Sequence, residues 1–173
     1  IGLTDFLAVV ARHEVEVVNR WDLQPYNTGT YTSTAYQLFR NYDGANSTYG
    51  DLSISSTFDN VDKASVWAAI NSTNDDLHFI IINKQLSTDA DMNITLNDNG
   101  YLHAYKDLRF LNEQSMNIGQ GSASDISINN GVLTISLPPL TAYHLVLSRT
   151  PDPCFTGASV TLAIKAFLQG PLD

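Results

Sequence analysis

With 173 residues, of which 43% are hydrophobic and 16% charged, the chain has the length and composition of about one globular domain with a buried core. Its 18 acidic and 9 basic residues give a net charge of -9 without a cluster of Lys and Arg, so nucleic acid is an improbable partner. No apolar run approaches the roughly 20 residues of a membrane span, and the one cysteine, Cys154, rules out an internal disulfide.

The N-terminal part of the chain reads as a helix, a strand and a second helix. Residues 3–13, LTDFLAVVARH, place apolar side chains at helical spacing, with Thr4 or Asp5 as the expected N-cap. The run VEVVNRW that follows is rich in β-branched residues, which favours a buried strand. Residues 33–42, STAYQLFRNY, then predict a short second helix with Ser33 as its N-cap.

From Ser47 onward the sequence consists of short alternating runs that predict strands. These runs are TYGDLSISSTF, ASVWAAIN, LHFIIINK, DMNITLN, YLHAYKDL, DISINNGVLTISLPPL and AYHLVLSR. Asn99-Gly100 and Asn130-Gly131 supply the positive φ angles that tight hairpins require, and the second pair joins DISI to VLTISL. About eight strands without long helices between them indicate a mainly β fold, an antiparallel β-sandwich.

The tail after residue 150 begins with the linker-like stretch TPDPCFTG and continues with a strand-like run at 158–168 that has no obvious partner. Because an isolated strand exposes unpaired backbone groups, we expect this run to join the edge of the sandwich, begin a further module, or pair with another chain. At the other end, Ile1 follows no charged segment or cleavage site, and the chain is expected to be a piece of a longer protein.

The stretch LFRNYDGANSTYGD at the end of the second predicted helix is unusually dense in aspartate, asparagine and glycine. An EF-hand loop that starts at Asp43 is ruled out, because the sixth position, which needs glycine, is Thr48. An irregular calcium site formed by Asp43, Asn46 and Asp51 stays open at this point. The simpler alternative is that Asp43-Gly44 forms a turn after the helix.

The sequence contains no recognisable arrangement of catalytic side chains. Its three glutamates, Glu14, Glu16 and Glu113, lack the second carboxylate and the aromatic platform that sugar hydrolysis requires. The four histidines have no metal-binding spacing, and there is no G-x-S-x-G nucleophile motif. We therefore predict no catalytic residue, no metal site and no cofactor within this chain.

The two tryptophans have different expected roles. Trp21 ends a short predicted strand, where an aromatic face can meet a sugar ring, although core packing is the ordinary alternative. Trp67 alternates with apolar neighbours and is expected in the sandwich core. Three N-glycosylation motifs, at Asn46, Asn71 and Asn93, matter only in a eukaryotic secretory host.

Four pieces of sequence are more specific in their order than any one of them alone: LTDFLAVVARHEVEVVNRW, YQLFRNYDGANSTYGD, HFIIINK and ISLPPLTAYHLVL. Across most of residues 1–148 this order resembles the C-terminal part of glycoside hydrolase family 44, the endoglucanases and xyloglucanases. His13 and Glu14 depart from the family, which commonly has an acidic residue and glycine there. The tail from Pro151 lies outside the resemblance.

Members of that family combine a (β/α)8 barrel with a β-sandwich. The resemblance implies that residues 1–44 form the last helix, strand and helix of the barrel, 45–149 the β-sandwich, and 150–173 a linker and an extra strand, the start of a further module. It also implies that Trp21, at the C-terminal end of the last barrel strand, lines the sugar-binding cleft. The two catalytic glutamates of the family lie on earlier barrel strands, before residue 1, so none is carried over to this chain.

The sequence therefore predicts the non-catalytic C-terminal β-sandwich portion of a secreted family 44-like β-glucanase, located outside the cell or at its surface. The expected partners are the catalytic barrel of the same parent protein and β-glucan polysaccharide. The alternative is a glycan-binding or self-assembling module that uses the strand at 158–168 in trans.

Overall fold

The computed structural model describes residues 1–13, 30–157 and 162–169, and the described part is mainly β, as predicted. Two helices, α1 (Gly2–Arg12) and α2 (Tyr31–Arg40), precede the strands. The strands are β1 (Leu52–Ile54), β2 (Ser56–Phe58), β3 (Ala64–Ile70), β4 (Leu77–Asn83), β5 (Ala90–Asn97), β6 (Tyr101–Asn112), β7 (Ser115–Gln120), β8 (Ile126–Asn129), β9 (Val132–Leu137), β10 (Ala142–Pro151) and β11 (Ala163–Leu168). Neither described helix is long and apolar enough to cross a membrane.

The strands form two sheets that pack face to face as a sandwich. Sheet A has the order β1-β3-β4-β10-β6-β7, and sheet B has the order β2-β11-β5-β9-β8. Every described pair of neighbouring strands is antiparallel except β2 with β11, which is parallel. Between the sheets lies the main core, whose fully buried large side chains include Leu77, Phe79, Ile81, Met92, Ile94, Leu108, Leu133 and Leu137.

The hydrophobic pattern of each strand reflects its position among three layers: helices, sheet A and sheet B. All seven residues of β4 are buried, because one face of β4 packs against sheet B and the other lies under the helices. By contrast, β5 alternates between buried and more exposed residues, because the outer face of sheet B has no described layer over it. A continuous apolar run thus marks the strand covered on both sides, and an alternating run marks the strand covered on one.

A second, smaller core joins the helices to the outer face of sheet A. Leu7 and Ala8 of α1 and Leu38 and Phe39 of α2 pack here against buried side chains of β4 and β10, with the partly buried Trp67 at the side. Trp67 therefore lies in this helix–sheet core. The sequence-based prediction that it lies in the sandwich core is wrong. Its position follows from the period-2 alternation of β3, which turns Ser65, Trp67 and Ala69 away from sheet B.

The two predicted hairpin turns have different outcomes. Asn130-Gly131, with φ angles of 50° and 74°, joins the paired strands β8 and β9, so that hairpin is confirmed. At Asn99-Gly100 only Gly100 has a positive φ, 90°, and the Tyr101 N–H bonds the Asp98 carbonyl at 3.2 Å. The turn therefore has the form of type II, and it passes the chain from β5 in sheet B to β6 in sheet A, so the hairpin predicted there is wrong.

Both predicted helices are present, and their N-caps differ from the prediction. α1 begins at Gly2 after Ile1, without a side-chain cap, and Thr4 is buried in the first turn. α2 begins after Thr30, whose hydroxyl accepts a bond from the Ser33 N–H, while the Ser33 hydroxyl accepts one from the Thr30 N–H. Ser33 is thus the third residue of a reciprocal capping box and not the cap itself.

The strand-like run at the end of the chain is not without a partner. β11 lies inside sheet B, antiparallel to β5 on one side and parallel to β2 on the other. Its Ile164 and Ala166 are buried in the main core. Of the three alternatives predicted for this run, joining the sandwich is the one observed, although β11 lies inside sheet B and not at its edge, with its backbone paired on both sides within the chain.

Candidate functional site at the helix–sheet junction

The junction between the helices and sheet A brings together polar side chains that are far apart in the sequence. Asp5 of α1 is one of them: its Oδ1 accepts bonds from Ser65 Oγ at 2.7 Å and Trp67 Nε1 at 3.1 Å. Its Oδ2 lies 2.7 Å from Lys84 Nζ. Burial raises the pKa of Asp5, but the bonds from Lys84, Ser65 and Trp67 outweigh burial and hold the pKa below its ordinary value. Asp5 thus ties α1 to β3 and to the end of β4.

A buried histidine pair ties α2 to the same sheet. His144 Nδ1 lies 2.7 Å from the Leu38 carbonyl oxygen, and His78 Nδ1 lies 2.9 Å from His144 Nε2. A carbonyl oxygen only accepts hydrogen bonds, so His144 Nδ1 carries a proton and donates. In the neutral ring His144 Nε2 is then unprotonated, and it accepts a hydrogen bond from His78 Nδ1–H. This assignment leaves His78 Nε2 as an acceptor, and it has no hydrogen-bond partner among the described residues.

The surroundings of the histidine pair keep both rings neutral. Both side chains are almost completely buried, and the rings of Tyr42 and Tyr49 lie beside them, the closest centroid distance being 4.1 Å between Tyr42 and His144. Burial lowers the pKa of His78 to about 4 and that of His144 to about 3. At neutral pH the two rings therefore form one uncharged relay from sheet A to the last turn of α2.

The segment from Asn41 to Asp51 is a turn that closes the helix layer, and the two carboxylates considered for a calcium site bond to different partners. The Asp43 carboxylate accepts bonds from the backbone N–H groups of Ala45 and Ser47, and Asp51 instead binds the backbone and hydroxyl of Ser72. The two carboxylates thus serve separate turns, and the described residues contain no group of three potential metal ligands. Gly44, with a φ of 78°, confirms the turn expected at this point.

The helix layer also leaves apolar surface exposed next to the junction. A groove of about 290 Å³ is lined by Ile1, Tyr31, Leu111 and Leu140 together with Asn112 and Glu113. Tyr31 in this groove is 45% exposed, and Phe6 of α1 and Met116 of β7 are 50% and 49% exposed. Tyr31 is held in place by a 2.6 Å bond from its hydroxyl to the Glu113 carbonyl. This surface is a candidate contact region for further protein.

Of Trp21 and the three glutamates considered in the sequence, only Glu113 is among the described residues. Trp21, Glu14 and Glu16 lie outside the described residues, so the sugar-contact role of Trp21 stays a prediction. Glu113 is exposed and meets α2 through its backbone carbonyl. The histidine pair could not be predicted, because the two residues are 66 positions apart and resemble isolated histidines in apolar strands.

Comparisons with known proteins show which enzymes this chain is similar to in sequence and in fold. Endoglucanase A of Paenibacillus lautus is 33% identical over 155 residues, which cover 85% of this chain and 21% of that protein. A family 44 xyloglucanase from Paenibacillus polymyxa is 29% identical with a TM-score of 0.68, over 84% of this chain and 28% of the other. A family 44 endoglucanase from Clostridium acetobutylium is 25% identical with a TM-score of 0.72, over the same shares of the two chains. No protein-family model matches the chain.

The fold is thus that of a β-sandwich that accounts for part of larger glucan-degrading enzymes. By sequence and structure, the chain is a relative of the glycoside hydrolase family 44 endoglucanases and xyloglucanases. It spans about a fifth of the length of the curated relative and 28% of the two solved chains.

Proposed function

We propose that this chain is the non-catalytic C-terminal β-sandwich portion of a secreted family 44-like β-glucanase and that it supports the catalytic barrel during polysaccharide hydrolysis. The observation that carries the proposal is the exposed apolar surface of the helix layer, which adjoins a rigid junction. In this proposal, α1 and α2 belong to the barrel, and Asp5 and the histidine pair join them to the sandwich. The partner of the apolar surface is then the rest of the barrel.

The size of the apolar surface supports a protein partner. Phe6 is half exposed, although burying a phenylalanine fully stabilises a protein by roughly 1.5–3 kcal/mol. Several such side chains and an apolar groove expose apolar area, and exposed apolar surface commonly marks an interaction site. In this proposal the barrel cleaves the polysaccharide, and the residues of the apolar surface contact protein and not sugar.

The first test is to read the coding sequence upstream of Ile1. We expect several β/α units with glutamates at the ends of two of the strands, and their absence would remove the enzyme proposal.

The second test applies to the longer protein. The variant Phe6→Asp distinguishes a contact between Phe6 and the barrel from a role of Phe6 within the present chain. In the longer protein we expect the variant to lower stability by about 2 kcal/mol, because a charge would be buried at the contact. In the present chain the same variant should change stability by less than about 0.5 kcal/mol.

Glycan binding is a second candidate function, and the polar outer face of sheet B favours it. Self-assembly through the strand at 158–168 has lost its basis, because β11 is paired on both edges within the chain.

A further inference from the structure

The outer face of sheet B carries a row of side chains that crosses four strands in register. Phe167 of β11 lies opposite Asn93 of β5, Asn93 lies opposite Thr134 of β9, and Thr134 lies opposite Ser127 of β8. Phe167 is 37% exposed, and it is the one large apolar side chain in this row. We name these four residues the polar row. It combines an aromatic ring with an amide and two hydroxyls.

Asn93 in the centre of the polar row is oriented in advance. Its Oδ1 accepts two bonds, from Thr134 Oγ1 at 3.0 Å and from Gln169 Nε2 at 2.7 Å. Both donors hold the oxygen on one side, so the Nδ2 group must point to the other. Among the described residues Nδ2 has no hydrogen-bond partner, which leaves two N–H donors available next to the ring of Phe167.

Further polar groups surround the row. A groove of about 290 Å³ runs beside it, lined by Asp91, Ser127, Thr134, Ser136 and Gln169 among others. Neither the Asp91 carboxylate nor the Lys165 ammonium forms an ion pair within the described residues, and Lys165 Nζ lies 4.9 Å from the Phe167 ring centroid. The face therefore offers hydrogen-bond donors and acceptors in the groove, with the Phe167 ring and the Lys165 ammonium at the end of the row.

We infer that the polar row and its groove bind a neutral β-linked glucan chain that runs across the strands from Phe167 to Ser127. Hydroxyl groups of sugars both donate and accept hydrogen bonds, and the apolar face of a pyranose ring suits an aromatic side chain. Adjacent strands lie about 4.8 Å apart, close to the length that one β-linked pyranose unit adds to a glucan chain. Successive sugar units can thus meet the paired side chains of successive strands.

The choice of a glucan over other partners follows from charge and from position. With a net charge of -9 the chain repels phosphate polymers, and one exposed phenylalanine is too little apolar surface for a stable protein interface. The choice of glucan among neutral polysaccharides rests on the proposed function. The polar row lies on the side of the sandwich opposite the helices, so it stays accessible when the helix layer contacts a barrel.

The test is electrophoresis of the present chain through native gels that contain hydroxyethylcellulose, xyloglucan or dextran. We expect both β-glucans to retard the wild-type chain and the α-linked dextran to leave its mobility unchanged. Phe167→Ala and Asn93→Ala should each weaken binding to the β-glucans at least fivefold. Phe6→Ala, an equally simple change at an exposed phenylalanine on the opposite side, should bind as the wild type does.

Two results would overturn the inference. One is equal wild-type mobility with and without β-glucan, and the other is retardation of Asn93→Ala and Phe167→Ala to the same extent as Phe6→Ala. Circular dichroism of each variant checks that it is folded. If Phe167→Ala disturbs β11, the binding of Asn93→Ala decides the outcome. Binding without an upstream barrel would leave this inference standing while the proposed function fails, and a barrel without binding would do the reverse.

Discussion

At the scale of single residues, Asp5 and His144 fix the two helices in different ways. Asp5 is a charged acceptor that three donors from sheet A surround, so its interactions persist over the neutral and alkaline range. His144 is a neutral ring that donates to the Leu38 carbonyl and accepts from His78, and protonation of its Nε2 would remove that acceptor and place a charge in a buried site. The attachment of α2 is therefore more sensitive to acid than the attachment of α1.

The first prediction concerns pH. The native pKa values of about 4 for His78 and about 3 for His144 lie below the ordinary histidine value of about 6.5, so the unfolded chain binds more protons in acid. The stability that depends on neutral rings is complete above about pH 6.5 and is lost as the pH falls toward 4. The free energy of unfolding should fall by up to about 1.4 kcal/mol per pH unit for each histidine in that window.

Urea unfolding at pH 7, 6 and 5 measures this slope, and two variants assign it. His144→Gln retains an amide that can donate to the Leu38 carbonyl and removes one titrating ring, so its slope should be shallower than that of the wild type. His13→Gln removes an exposed histidine at the end of α1 and should leave the slope unchanged. Parallel pH profiles for the wild type and His144→Gln would show that the buried pair does not cause the acid sensitivity.

At the scale of elements, the sequence predicted which segments form helices and strands better than it predicted how they pair. The apolar run of β4 and the alternation of β5 follow directly from their layers, and both were recognisable. β7 was missed, because SMNIGQ is polar and lies exposed at the edge of sheet A. Pairing depends on distant residues, which is why a turn sequence typical of a hairpin at Asn99-Gly100 instead connects the two sheets.

What the sequence could not predict about the candidate site has the same physical origin. The turn at Asp43-Gly44 is a local structure formed by side chains bonding nearby backbone, so the sequence was enough to predict it. The histidine pair and the polar row exist only because β4 meets β10 and β11 meets β5. A strand placed inside a sheet by residues more than 60 positions away leaves no local signal of its neighbours.

The second prediction tests the placement of β11. Ala166 is 1% exposed and faces the main core, whereas Lys165 next to it faces solvent on the outer side of sheet B. Ala166→Asp should destabilise the chain by about 3 kcal/mol or more, because it buries an unpaired charge. Lys165→Asp should change the free energy of unfolding by less than about 0.5 kcal/mol.

Thermal and urea unfolding of the two variants provide the comparison. Similar small effects from both substitutions would mean that the strand does not insert into sheet B. A gel-filtration profile that shows a wild-type dimer dissociated by Ala166→Asp would place the strand in a second copy, against the pairing within one chain.

At the scale of the whole molecule, the chain contains two apolar cores of different size on the two faces of sheet A. The buried side chains of the larger core come from seven strands of both sheets, and the smaller core joins two short helices to β4 and β10. The smaller core depends on a few apolar side chains together with the polar contacts of Asp5 and His144. Local opening should therefore detach the helices while the sandwich stays folded.

The third prediction is that hydrogen exchange separates these two units. Backbone amides of α1 and α2 should exchange with a lower free energy of opening than those of β4, β9 and β10, because the smaller core protects them.

The variant Asp5→Ala tests the junction. It leaves Ser65 and Trp67 without their acceptor and removes the partner of Lys84, so exchange in α1 should accelerate while protection of β9 stays as in the wild type. Mass spectrometry of peptides from α1, α2 and β9 measures the wild type and Asp5→Ala under the same conditions. Equal acceleration in α1 and β9 would show that helices and sandwich unfold as one cooperative unit, and the junction would then be part of a single core. Exchange that accelerates in α1 alone would instead define the helix layer as a separate unit, one that needs further contacts to be stable, as the proposed barrel would provide.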